Sequence, residues 1–160
     1  MNTLEQLSAD VGAALKKRGL MMATAESCTG GGIAEAITRV AGASAWFDRG
    51  FITYSYEAKV DLLGVRRETL VDFGAVSEQT AQEMVGGAIA HSRAQVAVAV
   101  TGIAGPDGGM ADKPVGTVWF AWKLPKRSVI SEVCHFPGDR DAVRSQTVVH
   151  ALSVLLHNLA

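Results

Sequence analysis

The chain of 160 residues carries 15 basic and 16 acidic side chains, a formal net charge of −1. That balance, with a pI near 6.4, argues against a general nucleic-acid or anionic-membrane binder, since both need a basic excess. Hydrophobic residues at 48% against 19% charged exclude a disordered chain and suffice for the core of a single domain over 1–160.

Leu4, Leu7, Val11, Ala14 and Leu15 recur at helical spacing, and Gly19 follows the basic turn Lys16-Lys17-Arg18, which predicts an opening amphipathic helix. Residues 20–25 form a short apolar run suited to a strand. It breaks into Ser27-Cys28-Thr29-Gly30-Gly31-Gly32, after which Ile33, Ala34, Ile37 and Val40 mark a second helix. A strand is expected over 51–54, with short helices over 57–63 and 66–73 stopped by Gly64 and Gly74. Ser77 then caps a longer helix running to about Arg93. Residues 94–100 hold the VAVAV core; being apolar on both faces, this strand should be central and covered by helices on either side. The stretch 101–116, with five glycines and two prolines, is non-periodic, and a loop of that length inside a compact domain is usually functional. Strands over 118–122 and 129–136 read as a hairpin, and Asp139 caps a last helix through His157. The pattern predicts a three-layer α/β/α sandwich on a mixed sheet.

No apolar run reaches the roughly 18 residues of a membrane span, and the opening segment lacks the pattern of a signal peptide. The expectation is a cytoplasmic protein. Its two cysteines, Cys28 and Cys134, make no disulfide framework.

Four segments could carry chemistry. A hydroxyl or thiol in Ser27-Cys28-Thr29 sits where a helix start offers unpaired amides and positive dipole, suited to an oxyanion or a phosphate; the plainer alternative is an N-cap with glycines for close packing. No Lys follows the glycines, so the P-loop pattern fails. Cys28 competes with Ser27 as nucleophile, because a thiol at a helix start has a lowered pKa, but His91, His135, His150 and His157 all lie far along the chain. None has the Cys or carboxylate spacing of a metal site. Without a histidine base, a lysine can serve if burial lowers its pKa. Lys59 stands in the first turn of a predicted helix, just after Tyr54, where a cation is disfavoured; the alternative is a solvated lysine paired with Glu57 or Asp61. Thr101-Gly102-Ile103-Ala104-Gly105 leaves the central strand at the end where open α/β sheets bind ligands. In Gly138-Asp139-Arg140-Asp141-Ala142-Val143-Arg144 a helix start and two arginines could grip an anion, or simply cap and pair with neighbouring charges.

The segments TAESCTGG, SAWFDRGFITYS, GAVSEQTA, TGIAGPDGG, KPVGTVWFA and GDRDAVR, with the Ala58-Lys59 pair, occur in that order over nearly the whole chain. In this the sequence resembles the bacterial nicotinamide-nucleotide amidohydrolases, relatives of the C-terminal domain of the competence/damage-inducible protein, in their stand-alone form. The resemblance implies a mostly parallel sheet with one antiparallel strand. It also implies metal-free and cofactor-free hydrolysis of nicotinamide mononucleotide to nicotinic acid mononucleotide and ammonia, in pyridine nucleotide recycling. By motif, Ser27 would be the nucleophile, with Lys59 and Tyr54 as base and proton relay. Ser44, Thr29, Gly30, Thr101, Gly102, Gly105 and either Arg140 or Arg144 would hold the substrate. Tyr56 stands where the family carries Asn. An aromatic wall for the cationic pyridinium would come from Phe47 or Tyr56. A homodimer is expected. The alternatives are a non-catalytic nucleotide-binding module and an amidase for another phosphorylated amide.

Overall fold

A computed structural model describes residues 3–160. Helix α1 (Thr3–Lys17) leads into β1 (Met22–Glu26), α2 (Gly32–Thr38) and β2 (Phe47–Ile52). Helices α3 (Tyr56–Leu63), α4 (Arg67–Phe73) and α5 (Glu78–Ala90) precede β3 (Val96–Gly102). The hairpin β4 (Thr117–Lys123) and β5 (Ile130–His135) and the long α6 (Arg140–Leu159) complete the chain. The sheet order is β2-β1-β3-β4-β5. Strands β1, β2 and β3 are parallel, and only β4 runs against its neighbours, as the resemblance implies. The VAVAV strand lies in the middle with its valines and alanines fully buried.

The connection through α2 moves outward from β1 to β2, and the connection through α3–α5 returns past β1 to β3. Right-handed crossovers in opposite directions place their helices on opposite faces. The core clusters divide accordingly: large side chains under α1, α2 and α6, and mostly alanines under α3–α5. The order reverses between β1 and β3, and a crevice opens at the carboxyl ends of those strands. Ser27 follows β1 there, and Thr101 and Gly102 are the last two residues of β3.

Several boundaries differ from expectation. Strand β3 runs Val96–Gly102 rather than 94–100, so Thr101 and Gly102 belong to the strand and not to the loop, and α6 continues past His157 to Leu159. Strand β2 begins at Phe47 and ends at Ile52, before Tyr54. Its polar residues Asp48, Arg49 and Gly50 lie on an edge strand with partly solvated faces, so no apolar alternation announces it. Helix α5 stops at Ala90 with His91 as its C-cap, short of Arg93. Among the described residues no helix is long and apolar enough to cross a membrane.

Candidate active site

Ser27 follows the last residue of β1, and its amide bonds to Val100 O of β3 at 3.1 Å. A tight turn then enters α2, with Gly30 at φ +60° and Gly31 at φ +101°, conformations that favour glycine. Glu26 anchors this turn. Its buried carboxylate accepts from the Thr29 hydroxyl (2.6 Å) and from the amides of Ile33 (2.8 Å) and Ala34 (3.0 Å). An anion at a helix start is favoured by the dipole and satisfies otherwise orphaned amides. Arg144, from α6, holds the other side, donating to the Cys28 carbonyl at 3.1 Å and the Thr29 carbonyl at 3.2 Å.

Lys59 approaches from α3. Ser55 caps this helix by accepting from the Ala58 amide, which starts the turn that carries Lys59 inward. The side chain is 1% exposed. Its Nζ lies 2.9 Å from Ser27 Oγ, 2.7 Å from the Thr53 carbonyl and 3.5 Å from the Tyr54 carbonyl. Glu57 pairs with Arg67 instead, so the solvated-lysine alternative fails. Burial lowers the Lys59 pKa from its ordinary 10.5 to about 8. In this geometry Nζ donates to Ser27 Oγ as well as to the two carbonyls; a neutral amine would keep two N–H donors for the carbonyls and one lone pair.

Ser27 and Lys59 lie at the floor of a cavity of about 220 Å³, whose walls include Tyr54, Thr101, Gly102 and Arg140. Thr101 donates to the Ala75 carbonyl at 2.8 Å and so ties β3 to the segment after α4. A Cβ on Gly102 would lie 2.8 Å from the Thr117 carbonyl, so only glycine lets β3 and β4 close this wall. Arg140 donates to the Gly105 carbonyl (3.0 Å) and to the Tyr54 hydroxyl (3.2 Å). It also lines an adjoining hollow of about 510 Å³ with Ala104, Pro106, Val115 and the start of α6.

Residues 4–159 match the CinA C-terminal domain family. The chain belongs to that family. Nicotinamide-nucleotide amidohydrolase PncC of Escherichia coli (strain K12) is 57% identical over 152 residues, 95% of this chain and 92% of that protein. The protein of the same name from Pseudomonas putida is 53% identical over 156 residues, 98% of this chain and 97% of its own. The crystal structure of competence/damage inducible protein CihA from Agrobacterium tumefaciens superposes with a TM-score of 0.95 at 49% identity, covering 98% of this chain and 96% of that one.

In this CinA-family domain several expected positions have other duties. The Tyr54 phenol accepts from Arg140, and it is the Tyr54 backbone carbonyl that faces Lys59; a proton relay through the ring would need the phenol there. The Thr29 hydroxyl is committed to Glu26, and Gly30 packs against Arg144. Ser44 is exposed in a short turn before the amino end of β2, the opposite end of the parallel strands from Ser27. Phe47 starts β2 at that same far end and packs into the core, and Tyr56 does not line the cavity. Tyr54 is the aromatic residue among those lining the cavity. Cys28 is buried, and burial pushes its thiol up to about 12, opposite to the lowering expected at a helix start.

None of the four histidines lines the cavity. Elsewhere, tertiary structure brings Glu132, Cys134 and His150 within 4.8 Å of one another, a juxtaposition that sequence spacing does not reveal. Sequence reasoning also missed Glu26 and Thr53. An acid directly before a glycine-rich helix start was the available signal for Glu26; Thr53 acts through its backbone and leaves none.

Proposed function

We infer that this protein hydrolyses the carboxamide of nicotinamide mononucleotide to nicotinic acid mononucleotide and ammonia, with Ser27 as nucleophile and Lys59 as its base. The observation that carries the reading is the 2.9 Å contact between Lys59 Nζ and Ser27 Oγ, made by a buried amine. The activity named for the relatives from E. coli and P. putida supports the substrate.

Neutral Lys59 takes the Ser27 proton as Oγ attacks the carboxamide carbon. The amides of Cys28 and Thr29, which have no partner in the backbone network of the described residues, are suited to the oxyanion; such a donor is worth about 2.7–4 kcal/mol. The C–N bond breaks as Lys59 returns the proton to the leaving ammonia. Water, deprotonated by the same amine, then cleaves the seryl ester. Lys59 contacts Ser27 directly, so no relay through Tyr54 is required. The Tyr54 ring instead forms a cation–π wall for the pyridinium.

Arg140 is the arginine for the phosphate. It lines both the small cavity and the adjoining hollow; Arg144 lines neither and holds two carbonyls of the nucleophile turn. Remote phosphate binding would then help align the carboxamide.

Ammonia release from nicotinamide, its riboside and its mononucleotide tests this reading. The mononucleotide should be turned over and Ser27→Ala should lower that rate at least about 10⁴-fold with an unchanged circular dichroism spectrum. Near-native turnover by Ser27→Ala overturns the nucleophile. Binding of the mononucleotide without ammonia release would make the protein a binding module, and preference for free nicotinamide would overturn the substrate class.

A further inference from the structure

Glu132 and Cys134 are two residues apart on edge strand β5 and so point to the same face. Their partners across the ladder are Phe120 and Val118, residues of the core under α6. His150, midway along α6, meets them from above. Its ring is held edge-on to Phe120 at 4.9 Å between centroids, with Trp122 and Phe136 each at 6.1 Å. Nε2 contacts Glu132 Oε1 closely, and Cys134 Sγ donates to that same oxygen at 3.6 Å.

We propose that Glu132, Cys134 and His150 form a binding site for a divalent cation of the zinc class, which ties edge strand β5 to α6. The donor set is one thiolate, one imidazole and one carboxylate, the mixture preferred by such a borderline-soft ion. Metal–ligand bonds of roughly 2.0–2.3 Å put tetrahedral ligand atoms about 3.3–3.8 Å apart, and the donor atoms here all lie within 4.8 Å. Cys134 and His150 stand on a strand and a helix, so little backbone order must be gained. The half-exposed Glu132 side chain can swing outward to open its oxygen from Nε2. Solvent on that side supplies water as the fourth ligand. The three groups are now linked through two hydrogen-bonding protons, which the cation displaces. The Cys134 thiol releases its proton to solvent, and the proton between His150 Nε2 and Glu132 is either lost to solvent or carried on Nδ1 of the neutral imidazole, leaving Nε2 free to ligate. The site lies outside the cavity of Ser27 and Lys59, and the inference is independent of the proposed reaction.

Titration of the metal-stripped protein with Co²⁺, followed by competition with Zn²⁺, tests the site. One equivalent should produce tetrahedral cobalt absorption and a thiolate-to-cobalt charge-transfer band, bleached by Zn²⁺. Cys134→Ser should abolish the charge-transfer band, His150→Gln should weaken affinity at least about tenfold, and Cys28→Ala should leave both intact. Zn²⁺ should raise the melting temperature of wild type and not of Cys134→Ser. A wild type without the charge-transfer band, or a Cys134→Ser protein that binds cobalt unchanged, overturns the proposal.

Discussion

The two faces of the sheet are built from different materials. Towards α1, α2 and α6 the strands present Met22, Val96, Val98, Val100, Val118, Phe120 and Trp122. Towards α3–α5 the same strands present Ala23, Ala25, Ala97, Ala99 and Ala121. Burying a large apolar side chain contributes about 1.5–3 kcal/mol, so the first face supplies most of the stability. The alanine face supplies proximity. A Cβ on Gly87 of α5 would lie 2.0 Å from the Leu63 carbonyl of α3, so these two helices touch backbone to backbone. That close approach sets α3 where Lys59, one turn before Leu63, reaches Ser27. The large-residue face thus carries most of the burial, while the alanine face brings Lys59 to the Ser27 turn.

Substitutions on the two sides should therefore fail in different ways. The largest effect is expected from Lys59→Met: ammonia release falls about 10²–10⁴-fold while the fold persists, and Lys59→Arg is equally inactive because a guanidinium does not deprotonate usefully. A Lys59→Met enzyme with native turnover would remove the alanine face from the chemistry. Trp122→Ala should be the converse, costing about 3–5 kcal/mol in denaturant unfolding with near-native turnover per folded molecule.

Proton linkage sharpens the contrast. Below pH 8 both folded and unfolded states hold the Lys59 proton, and the penalty for burying that charge is fully present. Between pH 8 and 10.5 the unfolded state binds more protons, so stability rises with pH. Wild type should gain roughly 3 kcal/mol relative to Lys59→Met across that window, and its turnover should climb through pH 8 as the base form appears. Parallel stability curves for the two proteins would mean that Lys59 is not a buried base. Gly87→Ala should cost about 1–3 kcal/mol by overpacking and should also slow turnover, since relief of the clash moves α3. The smallest effect is expected at Cys28→Ala, which should retain ammonia release; loss there with retention in Ser27→Ala would exchange the nucleophile.

Much of this was legible in the chain. The VAVAV run announced a central strand, the glycine turn after β1 announced a helix start, and the motif series pointed to the family. Lys59 was conspicuous as a cation in a first helical turn. Arg140 and Arg144 were equivalent at that level, because both follow Asp139 on one helix. Only the folded chain separates them: Arg144 grips the Cys28 and Thr29 carbonyls, and Arg140 reaches Gly105 and Tyr54. Ser44, Phe47 and Tyr56 could not be located from motif order, since neighbours in a motif can lie at opposite ends of a strand.

Local pattern alone determined the alternation of helices and strands, the apolar faces and the turns that demand glycine, because these depend on residues a few positions apart. Distances across the sheet depend on how closely whole elements pack. The burial that lowers the Lys59 pKa, its alignment on Ser27 across 32 positions of sequence, and the meeting of Glu132 and Cys134 with His150 were decided only by the tertiary structure.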